Sequence, residues 1–214
     1  MTVSSEGPLR ILLVKPYQPP RMRIACPPLG LLYLASTLRQ TFGSDVEVRL
    51  IDLTLEKARY FQARKLLEEF RPHVVGLSAL NWEAEESGRF ALMTQTEFPG
   101  TVVAIGGPFA HRNTQKICAT GVYDWIFDGE ADWAFPIACQ RWFRGDKTMD
   151  DIVGLTWRAA PAEPFTNNSD LLSLGEKKPA GVVDDLDAIP LPAWDLVDSA
   201  FRSEERRVGK ECRS

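Results

Sequence analysis

The stretch VVAIGGPFAH, residues 102–111, joins a run of apolar residues to two adjacent glycines and a proline. A continuous apolar run of this length is typical of a strand that is covered on both faces. Glycine weakens a strand interior, so the pair at its end indicates either a tight turn or the close approach of another backbone or a ligand. The neighbouring segments have to decide between these two interpretations.

Strand and helix patterns alternate on both sides of this stretch. Strands are predicted at 10–15, 46–53, 73–80, 101–107 and 123–127, and helices at 27–42, 56–70, 83–98, 110–120 and 131–144. Five strand–helix units in a row predict an α/β fold with a doubly wound parallel sheet. Because the run 46–53 alternates between apolar and polar residues, it suits an edge, which favours the flavodoxin-like strand order 2-1-3-4-5.

The pattern changes after residue 145. The segments IVGLTWRA (152–159) and EPFTNN (163–168) predict a small β-hairpin, and the acidic segment 182–198 carries spaced prolines. Such a segment is typical of a semi-rigid connector that packs along a surface. We therefore divide the chain into a Rossmann-like domain (1–145) and a hairpin with connector (146–201).

The last residues, RSEERRVGKECRS (202–214), are charged, aperiodic and unlike the rest of the chain. Over their whole length they resemble the in-frame translation of a common sequencing-library adapter. We interpret them as an artefact that carries no function, with the natural protein continuing past Phe201.

Composition and charge limit the classes of partner. The 214 residues have a net charge of −4 and no basic stripe, which argues against nucleic acid as a partner. The N-terminus lacks a cationic and then apolar leader, and the longest apolar stretch, PPLGLLYLA (27–35), is too short to span a bilayer. We expect a cytoplasmic protein without a membrane partner. The cysteines at 26, 118, 139 and 212 show no paired spacing and are interpreted as free, mostly buried thiols, and two histidines make a zinc site unexpected.

Unusual residues collect where the predicted strands end, at 15–20, 78–83, 106–111 and 128–132. In a doubly wound sheet, ligands bind beyond these carboxyl ends. The glycine motifs of dinucleotide-binding and P-loop sites are absent after the first strand. The third strand ends on Ser78 where a receiver domain needs an aspartate, and prolines replace the hydroxyl residues of a flavodoxin phosphate loop.

The segments SAL (78–80) and GG (106–107), on neighbouring strands, resemble the S-x-L…G-G signature of cobalamin-binding domains. The resemblance implies that the nucleotide tail of cobalamin enters a slot beside the sheet, where the serine hydroxyl meets a ring nitrogen and the glycines leave room. It implies a cofactor-binding set with no catalytic residue and no metal ligand: Ser78, Ala79, Leu80, Asn81, Gly106, Gly107, Pro108, Phe109, Gly129 and Glu130. For Glu130 an alternative stays open, since an acid in the first turn of a helix also favours the helix dipole.

The family's D-x-H-x-x-G element, which supplies a histidine ligand to cobalt, is absent after the first strand. Close to the glycines stands His111, which we expect to be a solvated residue at a helix start. The same family often has histidine where this chain has Phe109, so the surroundings of the corrin are expected to differ there.

The resemblance extends over about 190 residues to the N-terminal half of cobalamin-dependent radical S-adenosylmethionine enzymes. It is carried by 15–39, 72–79, 102–111, 124–132, 154–158 and 183–198, above all by PPLGLLYLA and DLDAIPLPAWDL. It implies a following barrel whose C-x-x-x-C-x-x-C motif holds a [4Fe–4S] cluster and which binds S-adenosylmethionine; this chain lacks that motif.

We therefore expect a cobalamin-binding module of an enzyme of methyl transfer or cyclase type, with cobalamin and the missing barrel as partners. The fragment is expected to be inactive alone. Two alternatives remain, a stand-alone cobalamin-binding or sensing module and a flavodoxin-like electron carrier.

Overall fold

The computed structural model describes residues 7–18, 26–55, 59–146, 148–159, 166–167, 183 and 185–197. The segment interpreted as adapter sequence lies outside these residues. In chain order the elements are β1 (Leu9–Lys15), α1 (Leu29–Phe42), β2 (Val46–Asp52), α2 (Arg59–Phe70), β3 (Val74–Ser78), α3 (Ala84–Glu97), β4 (Val102–Gly106), α4 (Ala110–Thr120), β5 (Trp125–Phe127), α5 (Ala134–Phe143), β6 (Leu155–Trp157) and β7 (Thr166–Asn167).

The strands form one sheet in the order β2-β1-β3-β4-β5-β6-β7. Strands β1 to β5 pair in parallel, whereas β6 pairs antiparallel with both β5 and β7. The predicted doubly wound order 2-1-3-4-5 is confirmed, with β2 at the edge. The segment predicted as a separate hairpin does form antiparallel strands, but these extend the same sheet beyond β5.

The sheet is covered on both faces, which explains its continuous apolar strands. Along β1, Leu9, Ile11 and Leu13 face one core and Leu12 and Val14 face the other. Helices α1 and α5 pack on the first face, and α2, α3 and α4 pack on the second. Two of these helices therefore cover one face of the sheet, and three cover the other.

A buried ion pair fastens β6 to the parallel strands at the edge opposite the strand carboxyl ends. The carboxylate of Asp124 accepts hydrogen bonds from the Val103 amide at 2.9 Å and from Nε of Arg158 at 3.2 Å. Nη2 of Arg158 also donates to the carbonyl oxygen of Gly121 at 2.8 Å. Since both charged side chains are at most 11% exposed, this pair is a structural contact away from solvent.

The described part of the connector, 185–197, packs along α1. The hydroxyl of Ser36 donates a hydrogen bond to the carbonyl oxygen of Leu191 at 2.6 Å. The amide of Ala193 donates one to the carbonyl oxygen of Leu32 at 3.2 Å. Arg39 forms a bidentate ion pair with the carboxylate of Asp195, at 2.8 and 2.9 Å. Buried Ala193 joins the core beneath α1. The connector is thus fixed to the domain at several points.

A search for membrane-spanning helices among the described residues finds none with the length and apolar character required.

Candidate functional site

A cavity of about 190 Å³ opens at the carboxyl ends of the strands, on the face that α1 and α5 cover. Its floor consists of small residues on β3 and β4, which pair as Gly76 with Ala104 and Ser78 with Gly106. These residues have little or no side chain, which leaves space above Gly106, whereas the ring of Phe135 packs closely on Gly76, where a Cβ would lie 3.1 Å from its Cζ. The walls are formed by Gly30, Leu31 and Leu34 of α1 and by Phe127, Ala131 and Phe135 near β5 and α5.

The two adjacent glycines serve different purposes. Gly107 has a φ of +84°, and a Cβ atom there would lie 2.7 Å from Oγ of Ser78 and 3.1 Å from the backbone N and O of Ala79. A Cβ on Gly106 would meet only Cβ of Phe127, at an ordinary 3.7 Å. Gly107 is therefore required by the turn and the close approach of β3, whereas Gly106 leaves space in the cavity. The turn and the close approach of a backbone are thus confirmed for Gly107, and the approach of a ligand to Gly106 stays a prediction.

The hydroxyl of Ser78 is the polar group on the cavity floor. The residue is half-buried and lines the cavity, yet its hydroxyl forms no hydrogen bond with any residue that the structure describes. A hydroxyl that is buried without a partner costs about 1–3 kcal/mol. A ligand that covers Ser78 avoids this cost if it offers an acceptor or donor at this point.

The loop between β5 and α5 supplies the polar side of the cavity. Gly129 adopts a φ of +96°, which turns the chain directly after the strand. The exposed Glu130 lines the cavity and accepts a hydrogen bond from the Val183 amide at 2.7 Å, so it also joins the connector to this loop. Burial raises the pKa of the Asp132 carboxyl, its own backbone hydrogen bond opposes this, and the charge of Glu130 adds to the rise.

The ten residues predicted for the cofactor lie at one edge of the sheet, but only half of them line the cavity. These are Ser78, Gly106, Gly107, Gly129 and Glu130. Buried Ala79 belongs to the opposite core and Phe109 packs against that core, while Leu80, Asn81 and Pro108 occupy the loops outside the cavity. The set as a whole stays a prediction.

The histidine near the glycines does not line the cavity either. Nδ1 of His111 lies 2.7 Å from Oδ1 of Asp128, and the imidazole is 49% exposed. This placement agrees with the expected solvated residue at the start of a helix.

Several lining residues were missed from the sequence. Gly76 and Ala104 stand two positions before Ser78 and Gly106, and alternate residues of a strand share a face. The two-residue period of the strands therefore predicts that Gly76 and Ala104 lie on the same face as Ser78 and Gly106. The contributions of α1 and of Asp132 and Phe135 had no comparable signal, because they depend on how the helices pack on the sheet.

The fold and the cavity together define a doubly wound α/β ligand-binding domain whose slot lies beside the central strands. A model of the B12-binding domain family matches residues 23–138, which is more than half of the chain. The chain therefore belongs to the B12-binding domain family and binds cobalamin.

Two curated relatives are methyltransferases. The uncharacterized methyltransferase PH0819 of Pyrococcus horikoshii is 25% identical over 174 residues, which cover 80% of this chain and 34% of the relative. Cytidylyl-2-hydroxyethylphosphonate methyltransferase of Streptomyces wedmorensis is 27% identical over 199 residues, covering 78% of this chain and 36% of the relative. The chain thus spans about a third of the length of these relatives.

Two solved structures share the fold. The radical S-adenosylmethionine methyltransferase TsrM of Kitasatospora setae matches with a TM-score of 0.59 and 22% identity, over 73% of this chain and 31% of TsrM. The cobalamin-dependent S-adenosylmethionine radical enzyme OxsB, solved with aqua-cobalamin and S-adenosylmethionine, matches with a TM-score of 0.64 and 18% identity, over 90% of this chain and 25% of OxsB. At these identities the likeness concerns the fold.

Proposed function

We propose that the cavity between α1, α5 and the sheet receives the nucleotide tail of cobalamin, and that Ser78 donates a hydrogen bond to a ring nitrogen of its base. The observation that carries this proposal is that, among the described residues, the Ser78 hydroxyl on a floor of small residues has no hydrogen-bond partner. A flat heteroaromatic base fits such a site, because its faces suit apolar walls and its nitrogen suits the hydroxyl. Of the other predicted residues, Leu80, Asn81 and Pro108 would then border the corrin outside the cavity, whereas Ala79 and Phe109 belong to the packing of the opposite core.

We also propose that residues 1–145 are the binding domain and that 146–201 lead towards a separate barrel, which holds a [4Fe–4S] cluster and S-adenosylmethionine. The support is that the chain spans about a third of two curated methyltransferases and that its connector is fixed to α1 and to Glu130. Cobalamin supplies group-transfer chemistry at its cobalt when bound, and the residues of this chain bind, orient and shield it. A cytoplasmic location and inactivity of the fragment alone stay predictions.

The test is a titration of the 214-residue chain with hydroxocobalamin, followed by visible absorption. Gly106→Ala should weaken binding and Gly106→Leu should abolish it, since the added atoms enter the space that the tail needs. Gly88→Ala is the matched control, because a Cβ on Gly88 in α3 meets only the Tyr123 hydroxyl at 4.0 Å and lies away from the cavity. Circular dichroism would check that all variants are folded.

Saturable binding that is lost in Gly106→Leu and kept in Gly88→Ala is the expected result. Equal affinity of Gly106→Leu and the unchanged chain would overturn the tail-in-cavity assignment. Binding of a flavin instead of hydroxocobalamin would favour the electron-carrier alternative.

A further inference from the structure

A fully buried carboxylate lies at the same edge of the sheet as the cavity, outside the cavity lining. Glu83 closes a short 3₁₀ turn (Asn81–Glu83) after β3, and it is 0% exposed. Its Oε1 accepts hydrogen bonds from the ammonium group of Lys15 and from Nε2 of Gln18, the latter at 2.6 Å. Its Oε2 accepts from the Leu80 amide at 2.7 Å. One side chain thereby joins the end of β1 and its following loop to the loop that follows β3.

The hydrogen bonds continue from this point to β4. Leu80 follows Ala79, whose amide donates to the carbonyl oxygen of Gly106 at 3.2 Å. The carbonyl oxygen of Ala79 in turn accepts from the Phe109 amide at 2.9 Å. The links at Ala79 use backbone groups alone. The backbone ladder between β3 and β1 ends at the pair Leu77 and Val14, and beyond it the Glu83 carboxylate joins the Leu80 amide to Lys15 and Gln18. Any change at Glu83 therefore loosens one end of a continuous series of bonds that frames Ser78.

The cost of burying this ion pair indicates a purpose beyond stability. Taking an ammonium and a carboxylate out of water is unfavourable, and well-packed apolar residues often serve stability as well or better. What an ion pair with three defined donors provides is a fixed position. The position that it fixes here is the backbone of Leu80, two residues after the Ser78 hydroxyl.

We propose that Glu83 is a positioning residue for cobalamin binding. It holds the Ser78–Leu80 segment so that the serine hydroxyl, on the floor of the cavity, is directed into the cavity. This inference rests on the proposed function. Glu83 acts through Leu80 and Lys15 and does not itself contact the ligand. A site held in its bound geometry before the ligand arrives avoids the cost of ordering it on binding.

Glu83→Gln is the informative variant because it is nearly isosteric. The new amide has one NH₂ group, which faces a donor in either orientation. It faces Lys15 and Gln18 in one orientation and the Leu80 amide in the other, so hydrogen bonds are lost in both. The segment should therefore shift while the fold persists. Asp124→Asn is the matched control, since it alters an equally paired buried carboxylate at the opposite edge of the sheet, away from the cavity.

The experiment measures Kd for hydroxocobalamin and for dicyanocobinamide, a corrinoid without the nucleotide tail, in conditions where every variant is folded. We expect Glu83→Gln to raise the Kd for cobalamin about tenfold, as loss of an outer supporting contact commonly does, with a much smaller change for cobinamide. Asp124→Asn should lower the urea midpoint and leave both Kd values unchanged. A purely structural role of Glu83 would not alter the ratio of the two Kd values.

A Glu83→Gln variant with an unchanged Kd ratio overturns the positioning role while leaving the proposed function intact. Failure of the unaltered chain to bind cobalamin overturns the proposed function and this inference together. If Glu83→Gln does not fold, Glu83→Asp replaces it, since the shorter carboxylate keeps its charge for Lys15 but cannot also reach Leu80. An unchanged Kd ratio in Glu83→Asp would equally overturn the positioning role.

Discussion

Replacing each of the two adjacent glycines by alanine should have opposite consequences. In Gly107→Ala, the left-handed backbone costs about 1–2 kcal/mol, and the new Cβ stands 3.1 Å from the backbone N and O of Ala79. The Ser78 hydroxyl can rotate away, but the backbone of Ala79 is held by hydrogen bonds to Gly106 and Phe109. We expect a loss of about 2–4 kcal/mol in the free energy of unfolding, a fall in Tm of about 5–15 °C.

In Gly106→Ala, the backbone is compatible with alanine and the new Cβ makes only an ordinary contact at 3.7 Å. We expect its free energy of unfolding to be unchanged or up to about 1 kcal/mol higher, because alanine restricts the unfolded chain. Its cobalamin affinity should nevertheless fall. Urea denaturation and thermal melting of both variants would check the stabilities. A Gly107→Ala protein within about 0.5 kcal/mol of the unaltered chain would refute the argument from close approach.

Three further predictions concern the cavity floor, the ion pair between Asp124 and Arg158, and the half-buried His73. Ser78→Ala should keep or slightly raise stability, because no described residue forms a hydrogen bond with the hydroxyl, and should weaken cobalamin binding by up to about tenfold in a spectroscopic titration; unchanged affinity would contradict it. Asp124→Asn should lower the free energy of unfolding by about 3–5 kcal/mol in urea, because it removes the negative charge that the buried guanidinium of Arg158 contacts. Burial, and then the nearby charge of Arg10, lower the pKa of His73, so the folded protein prefers the neutral imidazole. Stability should therefore fall as the pH drops below about 6.5, where the unfolded chain takes up a proton first, and level off below the folded pKa. This part of the pH dependence should be absent from urea titrations of His73→Gln, and an identical profile would contradict it.

The strands and the order of the sheet could be predicted because their signal is local. The apolar runs at 10–15, 73–80 and 101–107 mark burial on both faces, and the alternating run at 46–53 marks an edge. The pairing of β6 with β5 has no such signal. It depends on contacts such as the ion pair between Asp124 and Arg158, which are 34 residues apart.

Part of the candidate site could also be predicted from the local sequence. Ser78 and Gly106 are identifiable by their type and by their place at the ends of neighbouring strands. The alternation of a strand also implies that Ala79 faces away from Ser78, as it does. The packing of α1 and α5 over the floor could not be predicted, because it is set by side chains distant in the sequence.

By itself, the sequence determined the doubly wound architecture, the edge of the sheet where the cavity opens, and the membership of the cobalamin-binding family. Only the tertiary structure decided which glycine makes the turn and which leaves space, since that depends on Oγ of Ser78 standing 2.7 Å from the position of a Cβ on Gly107. It alone brought Lys15 to Glu83, across 68 residues. Periodicity reports which face of an element is buried, whereas a cavity and a buried ion pair exist only where separate elements meet in space.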